Sequence, residues 1–397
     1  MISPSKMSAL WLSFTLLDVD LHKTALLNIL KQFAEIGHKP YLIAIRSRNA
    51  YRVEDPKIGI IPVALRYVPG VSIIMFTVVL AIFLPVIIVS LKIKYILFEP
   101  DILILSFFPV YIVSKLKKTK VVLDIRSVPV ETIGFRGLLR KFWFSVSILI
   151  AKQFFDGTTI ITPSMKEKVC IDFNLNREKV GVWTSGVFED LFNPQLFNSK
   201  GSGLRGKFAL TEKFVVFYHG VFTATRGLIE TIDALRLLLP THPNIVFFLL
   251  GTGSFASSLK DLIQREGLQG NVIIHEPVDH TEVPSFISMC NVCIVPLPDH
   301  PYWRFQSPLK LLEYLSMEKV VILTDIPAHR AVIKEAKCGI YISSVKPNEI
   351  AKSIEYAYSN REHLGEWGKT GREIVKSEYT WKKVAKDLEN YLLYLNE

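Results

Sequence analysis

The sequence predicts an α/β chain built from two doubly wound, Rossmann-type domains. Three observations point there. Beyond residue 213, short runs of β-branched and aromatic residues alternate regularly with helically spaced apolar ones. The first half repeats that alternation less cleanly. Two predicted helix starts in the second half carry a cation where the helix dipole favours negative charge. At 397 residues the chain has room for two cores of ordinary size.

In the first half, 9–15 reads as a strand and 23–36 as a helix ending at Gly37. Strands follow at 41–45, 102–105 and 121–125. Between them, 71–91 runs for 21 residues without a charge, flanked by Arg66, Lys92 and Lys94. It is long enough to span a membrane. A single crossing would put the first strands on the wrong side of their own sheet, so a monotopic helix or a buried one, kinked at Pro85, fits better. The helix at 136–155 mixes Arg140 and Lys141 with Phe142, Trp143 and Phe144, which suits either a membrane surface or core packing. Residues 194–206, with Pro194, Gly201, Gly203 and Gly206, have the composition of a linker. The expected division is therefore 1–193, the linker, 207–376, and a C-terminal segment 377–397 whose helix crosses back to the first domain.

In the second half, strands are expected at 215–218, 245–250, 272–275, 292–295, 320–323 and 339–342. Ligands of such sheets bind beyond the carboxyl ends of the strands. Three candidate sites lie there. After the first strand, Gly220 to Gly227 forms a loop, with Arg226 at the start of a helix over Leu228, Ile232, Leu235 and Leu239. Gly251-Thr252-Gly253 ends the second strand. Ser307, a good N-cap, and Pro308, suited to the first helical position, open a helix with Lys310 in its first turn. An anion bound at both helix starts explains both cations. Surface pairs, Arg226 with Glu230 and Lys310 with Glu313, are the alternative.

The net charge of +10 suits an anionic ligand or an anionic membrane surface. The interleaved basic and aromatic repeats of a nucleic-acid binder are absent. Four cysteines do not make a disulfide framework; Cys290 and Cys293 have CxxC spacing but sit at the edge of an apolar strand. No metal-ligand cluster emerges, and the N-terminus does not read as a secretory signal.

Taken in order, these segments resemble the GT-B glycosyltransferases of family 4, the retaining glycosyl transferases group 1. The resemblance spans nearly the whole chain. It is carried by Gly220 to Gly227, Leu249 to Gly253, and Ser307-Pro308-Leu309-Lys310 through Glu313-Tyr314. Gly37-His38, Thr162-Pro163-Ser164 and Trp183 to Val187, followed by Phe192 and Pro194, add to it. It implies two Rossmann-like domains facing across a cleft, and transfer of a sugar from a nucleoside-diphosphate donor. Arg226 stands where the family contacts the donor diphosphate, with Lys310 adding charge. Gly220, Gly227, Gly251, Gly253, Ser307, Pro308 and Leu309 stand where backbone meets phosphate or sugar. Glu313 stands where the second glutamate of a pair grips the donor ribose. The first glutamate of that pair is here Phe305, which leaves Gln306 or Asp299 to hold the sugar. An arginine common after the first loop glycine is here Val221.

On the acceptor side the candidates are Asp124, Arg126, Glu131 and His22; Asp124 is equally open as a structural partner of Arg126 or of a helix start. Asp18-Val19-Asp20 has the spacing of a metal-bound DxD but reads as loop or cap, so no metal or other cofactor is expected. The apolar helix and positive charge point to a lipid-linked or glycan acceptor, with the enzyme peripheral or monotopic on the cytoplasmic face of a membrane. A nucleotide-sugar epimerase of the same fold and a non-catalytic binding subunit are the competing expectations.

Overall fold

A computed structural model describes residues 6–16, 23–46, 56–64, 68, 71–129 and 134–397. The chain divides into two compact units. Unit 1 is Met1–Ser185 with Trp381–Glu397, and unit 2 is Gly186–Thr380.

Among the described residues, unit 1 carries seven strands: β1 Ser8–Leu16, β2 Lys39–Arg46, β3 Gly59–Ala64, β4 Tyr95–Phe98, β5 Lys120–Ile125, β6 Gly157–Ile160 and β7 Val180–Val182. They form one parallel sheet in the order β3-β2-β1-β4-β5-β6-β7. Unit 2 carries β8 Phe214–His219, β9 Ile245–Leu250, β10 Val272–His275, β11 Val292–Val295, β12 Val321–Thr324 and β13 Gly339–Ile342. Its parallel sheet runs β10-β9-β8-β11-β12-β13. Successive side chains of β8 serve opposite faces: Val215 and Phe217 join one core, and Phe214, Val216 and Tyr218 the other. Helices cover both faces, which is why these strands are apolar throughout rather than alternating. Each sheet reverses its order of growth once, at β1/β4 and at β8/β11. All four cysteines are free and buried.

Three sequence expectations are corrected. The strand expected at 102–105 is a 3-10 turn, Ile102–Ser106, and the strand falls at β4 instead. The Asp101 side chain caps that turn by accepting from the Leu103 N–H at 2.8 Å. The Ile-Leu-Ile-Leu run satisfies either reading by composition alone. The linker expected at 194–206 is a helix, Pro194–Lys207. Asn193 caps it through the Gln195 N–H, and Pro194 fits its first turn. Gly201 is there for contact, because a Cβ would collide with Ser288 of the neighbouring helix Val283–Met289. The unit boundaries accordingly fall at 185/186 and 380/381 rather than at 193–207 and 376/377.

The terminal helix, Trp381–Tyr394, packs within unit 1. Glu389 meets His38 Nε2 at 3.0 Å, and Tyr391 accepts from the Thr158 N–H and donates to the Lys179 carbonyl.

Val71–Ser90 is one helix with Pro85 inside it. Among the described residues it alone is long and apolar enough to cross a membrane. One stripe, Phe76, Leu80, Leu84 and Ile88, is buried; the opposite face exposes Ile74, Val78, Ile82, Phe83 and Val86. The strands on either side of it, β3 and β4, lie in the same sheet.

Candidate active site

The site builds up around Tyr218, near the end of β8. Its ring lies under the Lys310 ammonium, with Nζ 3.9 Å from the ring centre. Lys310 also overhangs Gly220: a Cβ there would lie 3.1 Å from Nζ. Gly220 has φ +120, which a side chain would strain as well. Nζ is buried and has no hydrogen-bond partner among the described residues. Burial, and then the charge of Arg226, hold the Lys310 pKa well below the ordinary lysine range.

Arg226 arrives from the loop after β8. Its guanidinium carbon is 4.5 Å from the Trp303 ring centre, and its Nε is buried with no hydrogen-bond partner among the described residues. Neither surface pairing considered for these cations forms. Arg226 makes no ion pair with Glu230, and both Glu313 oxygens are taken by other residues. Two like charges are thus held close together, Lys310 on the Tyr218 ring and Arg226 on the Trp303 ring, each with a buried nitrogen. That arrangement is costly unless an anion joins it.

Both adjacent helix starts lack a side-chain cap. Gly227, at φ +68, precedes the helix Leu228–Leu238. Pro308 precedes Leu309–Ser316. This shifts the second helix by one residue from the expected start: Pro308 is the cap rather than Ser307, because its ψ of 93° is still extended. Neither Gly227 nor Pro308 has a side chain able to accept from the first-turn N–H groups. Gly251 follows β9 at φ +145, where a Cβ would collide with the Gly220 carbonyl; Gly253 packs as closely against the Phe222 backbone. These glycines bring the loops after β8 and β9 into direct backbone contact.

Glu313 is buried between two histidines that the sequence did not single out. His219 Nε2 lies 2.9 Å from Oε2, and His280 Nε2 lies 2.9 Å from Oε1. The Tyr314 hydroxyl oxygen accepts from the His219 backbone N–H and lies 3.0 Å from Nδ1. The arrangement that satisfies every group has Tyr314 donating to Nδ1 and a neutral His219 donating from Nε2 to Glu313. Burial opposes the charge on Glu313, but the bonds from both histidines win and bring its pKa down to about 2. His219 is lowered by burial, and His280 is raised by its bond to Glu313.

Of the sugar-holding alternatives, Asp299 is paired with Arg304 at 2.7 Å. In unit 1, Asp124, open between an acceptor-side role and a structural one, is 3% exposed and accepts from Thr159 at 2.8 Å and from Trp183 Nε1 at 3.0 Å. Its position within β5, one residue before the strand ends, puts it inside the sheet's polar layer. His22, Glu131 and the Asp18–Asp20 pair lie outside the described residues.

The family model for glycosyl transferases group 1 matches residues 204–374, nearly all of unit 2. Unit 2 is a glycosyl transferases group 1 domain. The pair of sheets gives the chain the GT-B fold. A solved glycosyltransferase from Rickettsia africae superposes with a TM-score of 0.78 at 16% identity, over 99% of both chains. Anabaena Alr3699/HepE, solved in complex with UDP and glucose, gives 0.73 at 15% identity, over 98% of this chain and 99% of that one. An uncharacterized glycosyltransferase of Methanocaldococcus jannaschii, MJ1607, is 23% identical over 238 residues, 58% of each chain. The alignment thus spans about three fifths of that relative's length. The cations, the uncapped helix starts and Glu313 all fall inside the matched group 1 domain.

Proposed function

We propose that the protein is a retaining glycosyltransferase of family 4. It moves a sugar from a nucleoside-diphosphate donor to a lipid-linked or membrane-proximal glycan acceptor. The observation that carries this reading is the pair of buried, unpartnered cationic nitrogens, Arg226 Nε and Lys310 Nζ. A diphosphate satisfies both, and the uncapped N–H groups at Leu228 and Leu309 add donors of the same sign.

As the donor's anomeric bond breaks, negative charge builds on the leaving phosphate. Arg226 and Lys310 are fixed in a desolvated setting, where such charge is stabilised most strongly and without reorganisation. They take the part that a metal ion plays in other transferases, so the reaction runs without one. Glu313, ionised at every physiological pH, keeps lone pairs to accept a ribose hydroxyl beside its histidines.

The exposed face of Val71–Ser90 supports membrane contact. Exposed Lys92 and Lys94 at its end, Lys115 in the last turn of the helix Phe107–Leu116 with Lys117 and Lys118 just after it, and Arg140 and Lys141 on Gly134–Phe154 supply charge for an anionic surface. The helix lies in the interface rather than crossing it, and the protein works on the cytoplasmic face.

Phe305, in place of a carboxylate, favours a second reading: a nucleotide-binding subunit that performs no transfer. Thermal melts with UDP, GDP, ADP and CDP, on the wild type and on Arg226→Ala/Lys310→Ala, test the main reading. It requires stabilisation by at least one nucleotide, lost in the double variant. No response to any nucleotide overturns it. Stabilisation without turnover of the matching nucleotide sugars selects the binding subunit.

A further inference from the structure

At the carboxyl end of the unit 1 sheet, four side chains form one row across four adjacent strands. They are Ser13 on β1, Glu99 just past β4, Asp124 on β5 and Thr159 on β6. The register pairs Leu12 with Phe98, Phe98 with Leu123, and Asp124 with Thr159. One step further brings Ser13 beside Glu99 and Glu99 beside Asp124. Ser13 Oγ donates to Glu99 Oε1 at 2.9 Å. The row straddles β1/β4, where the strand order reverses and where open α/β sheets bind ligands.

Most of the row is already bonded. Asp124 is taken by Thr159 and Trp183. Arg126 donates from Nη1 to the Trp183 carbonyl at 2.7 Å and lies 3.4 Å over its ring. Two groups are left over. Arg126 Nη2 is buried with no hydrogen-bond partner among the described residues. Glu99 is only partly buried, and its Oε2 makes no hydrogen bond among the described residues.

We propose that Glu99 and Arg126 form a sugar-binding subsite, in which Glu99 Oε2 and Arg126 Nη2 engage neighbouring hydroxyls of an uncharged sugar ring. The Arg126 guanidinium is already offset by the Asp124 carboxyl, so an anion would find little net attraction here. A hydroxyl both donates and accepts, which suits a carboxyl beside a guanidinium. Burial, then Asp101 and, more weakly, Asp124, raise the Glu99 pKa to about 8 against the opposing effects of Ser13 and Arg126. At neutral pH the group therefore holds its proton and can give it to a hydroxyl oxygen in a hydrogen bond. The proposal rests on the glycosyltransferase reading only in taking the bound sugar to be the acceptor.

The test uses full-length protein labelled with 13C at the glutamate carboxyls, the Glu99 signal being identified by its loss in Glu99→Gln. The probes are methyl glycosides of glucose, mannose, galactose and N-acetylglucosamine, and inorganic phosphate. At least one glycoside should shift the Glu99 signal saturably, and phosphate should not. Arg126→Lys should weaken that response roughly tenfold, the effect of one buried hydrogen bond. If Arg126→Lys does not fold, saturation-transfer signals from the glycoside, weakened in Glu99→Gln, carry the same test. An unmoved Glu99 signal, a response to phosphate alone, or full binding in the variants overturns the subsite. Nucleotide melts on the same samples keep the two readings apart. A glycoside response without nucleotide stabilisation sinks the donor reading alone, and the reverse sinks the subsite alone.

Discussion

The Lys310 ammonium rests 3.9 Å from the centre of the Tyr218 ring, and no oxygen among the described residues hydrogen-bonds to it. Burial and the charge of Arg226 work against its ammonium form, and the ring face and the more distant charge of Glu313 favour it. Lys310→Met keeps the volume and removes the charge. It should stabilise the nucleotide-free protein by about 1–3 kcal/mol in urea melts. The same variant should lose the stabilisation by nucleotide. A destabilised Lys310→Met would mean that the ammonium is well satisfied without ligand.

His280 and Glu313 set a pH dependence on the alkaline side. The folded-state pKa of His280 lies above the ordinary histidine value of 6.5, raised chiefly by its bond to Glu313. Its pairing with Glu313 is therefore fully present below 6.5 and is lost as pH rises through the folded value. His219 has the opposite sign: it is lowered, and costs stability as pH falls below 6.5. The loss of melting temperature above neutrality should be smaller in His280→Gln than in His219→Gln. On the acid side, the Glu313 contribution should fade between about 4.5 and about 2.

Glu99 predicts a slope of its own. Its pKa rises from 4.5 to about 8 on folding. The native state then binds more protons than the unfolded chain across that window, so stability falls as pH rises from 4.5 to 8. Asp101, raised to about 7 by burial, acts in the same direction. Glu99→Gln should flatten the slope and be more stable than the wild type at pH 8 by about 1–3 kcal/mol. Chemical denaturation at a series of pH values reads this directly.

Gly251→Ala should be among the more damaging small changes in unit 2. The new Cβ meets the Gly220 carbonyl, and φ +145 strains any side chain. A loss of about 2–4 kcal/mol is expected, with weaker nucleotide binding because the Gly220 loop moves. Gly270→Ala, where a Cβ meets nothing within 4 Å, is the control.

The two faces of Val71–Ser90 should separate in mutation. Phe83→Glu, on the exposed face, should change stability by less than about 0.5 kcal/mol yet reduce binding to vesicles containing anionic phospholipid. Leu84→Ala, on the buried stripe, should cost about 2–5 kcal/mol. Equal vesicle binding by Phe83→Glu and wild type would remove the membrane role of this face.

The unit 2 sheet was legible because its strands are short, mostly apolar runs rich in β-branched and aromatic residues, two of them closed by Gly220 and Gly251. Arg226 and Lys310 were legible because a cation at a helix start is locally anomalous. Ile102–Ser106 was not, since an apolar run of that length fits strand, turn or helix. Pro194–Lys207 was not, since its glycines serve packing contacts absent from the sequence. His219 and His280 escaped notice because they become partners of Glu313 only through the fold, across 94 and 33 residues. Glu99 escaped for a different reason: nothing marks a lone glutamate after a strand until the register sets Asp124 beside it.

The return of Trp381–Tyr394 to unit 1 makes unit 2 an insertion in its sequence. His38 and Glu389, bonded in the finished protein, are 351 residues apart. During synthesis the inserted unit can complete its own core while unit 1 still waits for its last helix, and such distant closures come late in folding. Until then the pocket around His38 stays open and the protein keeps an unfinished first half. A chain cut short after Thr380 would therefore retain a folded nucleotide unit on a partner that cannot close.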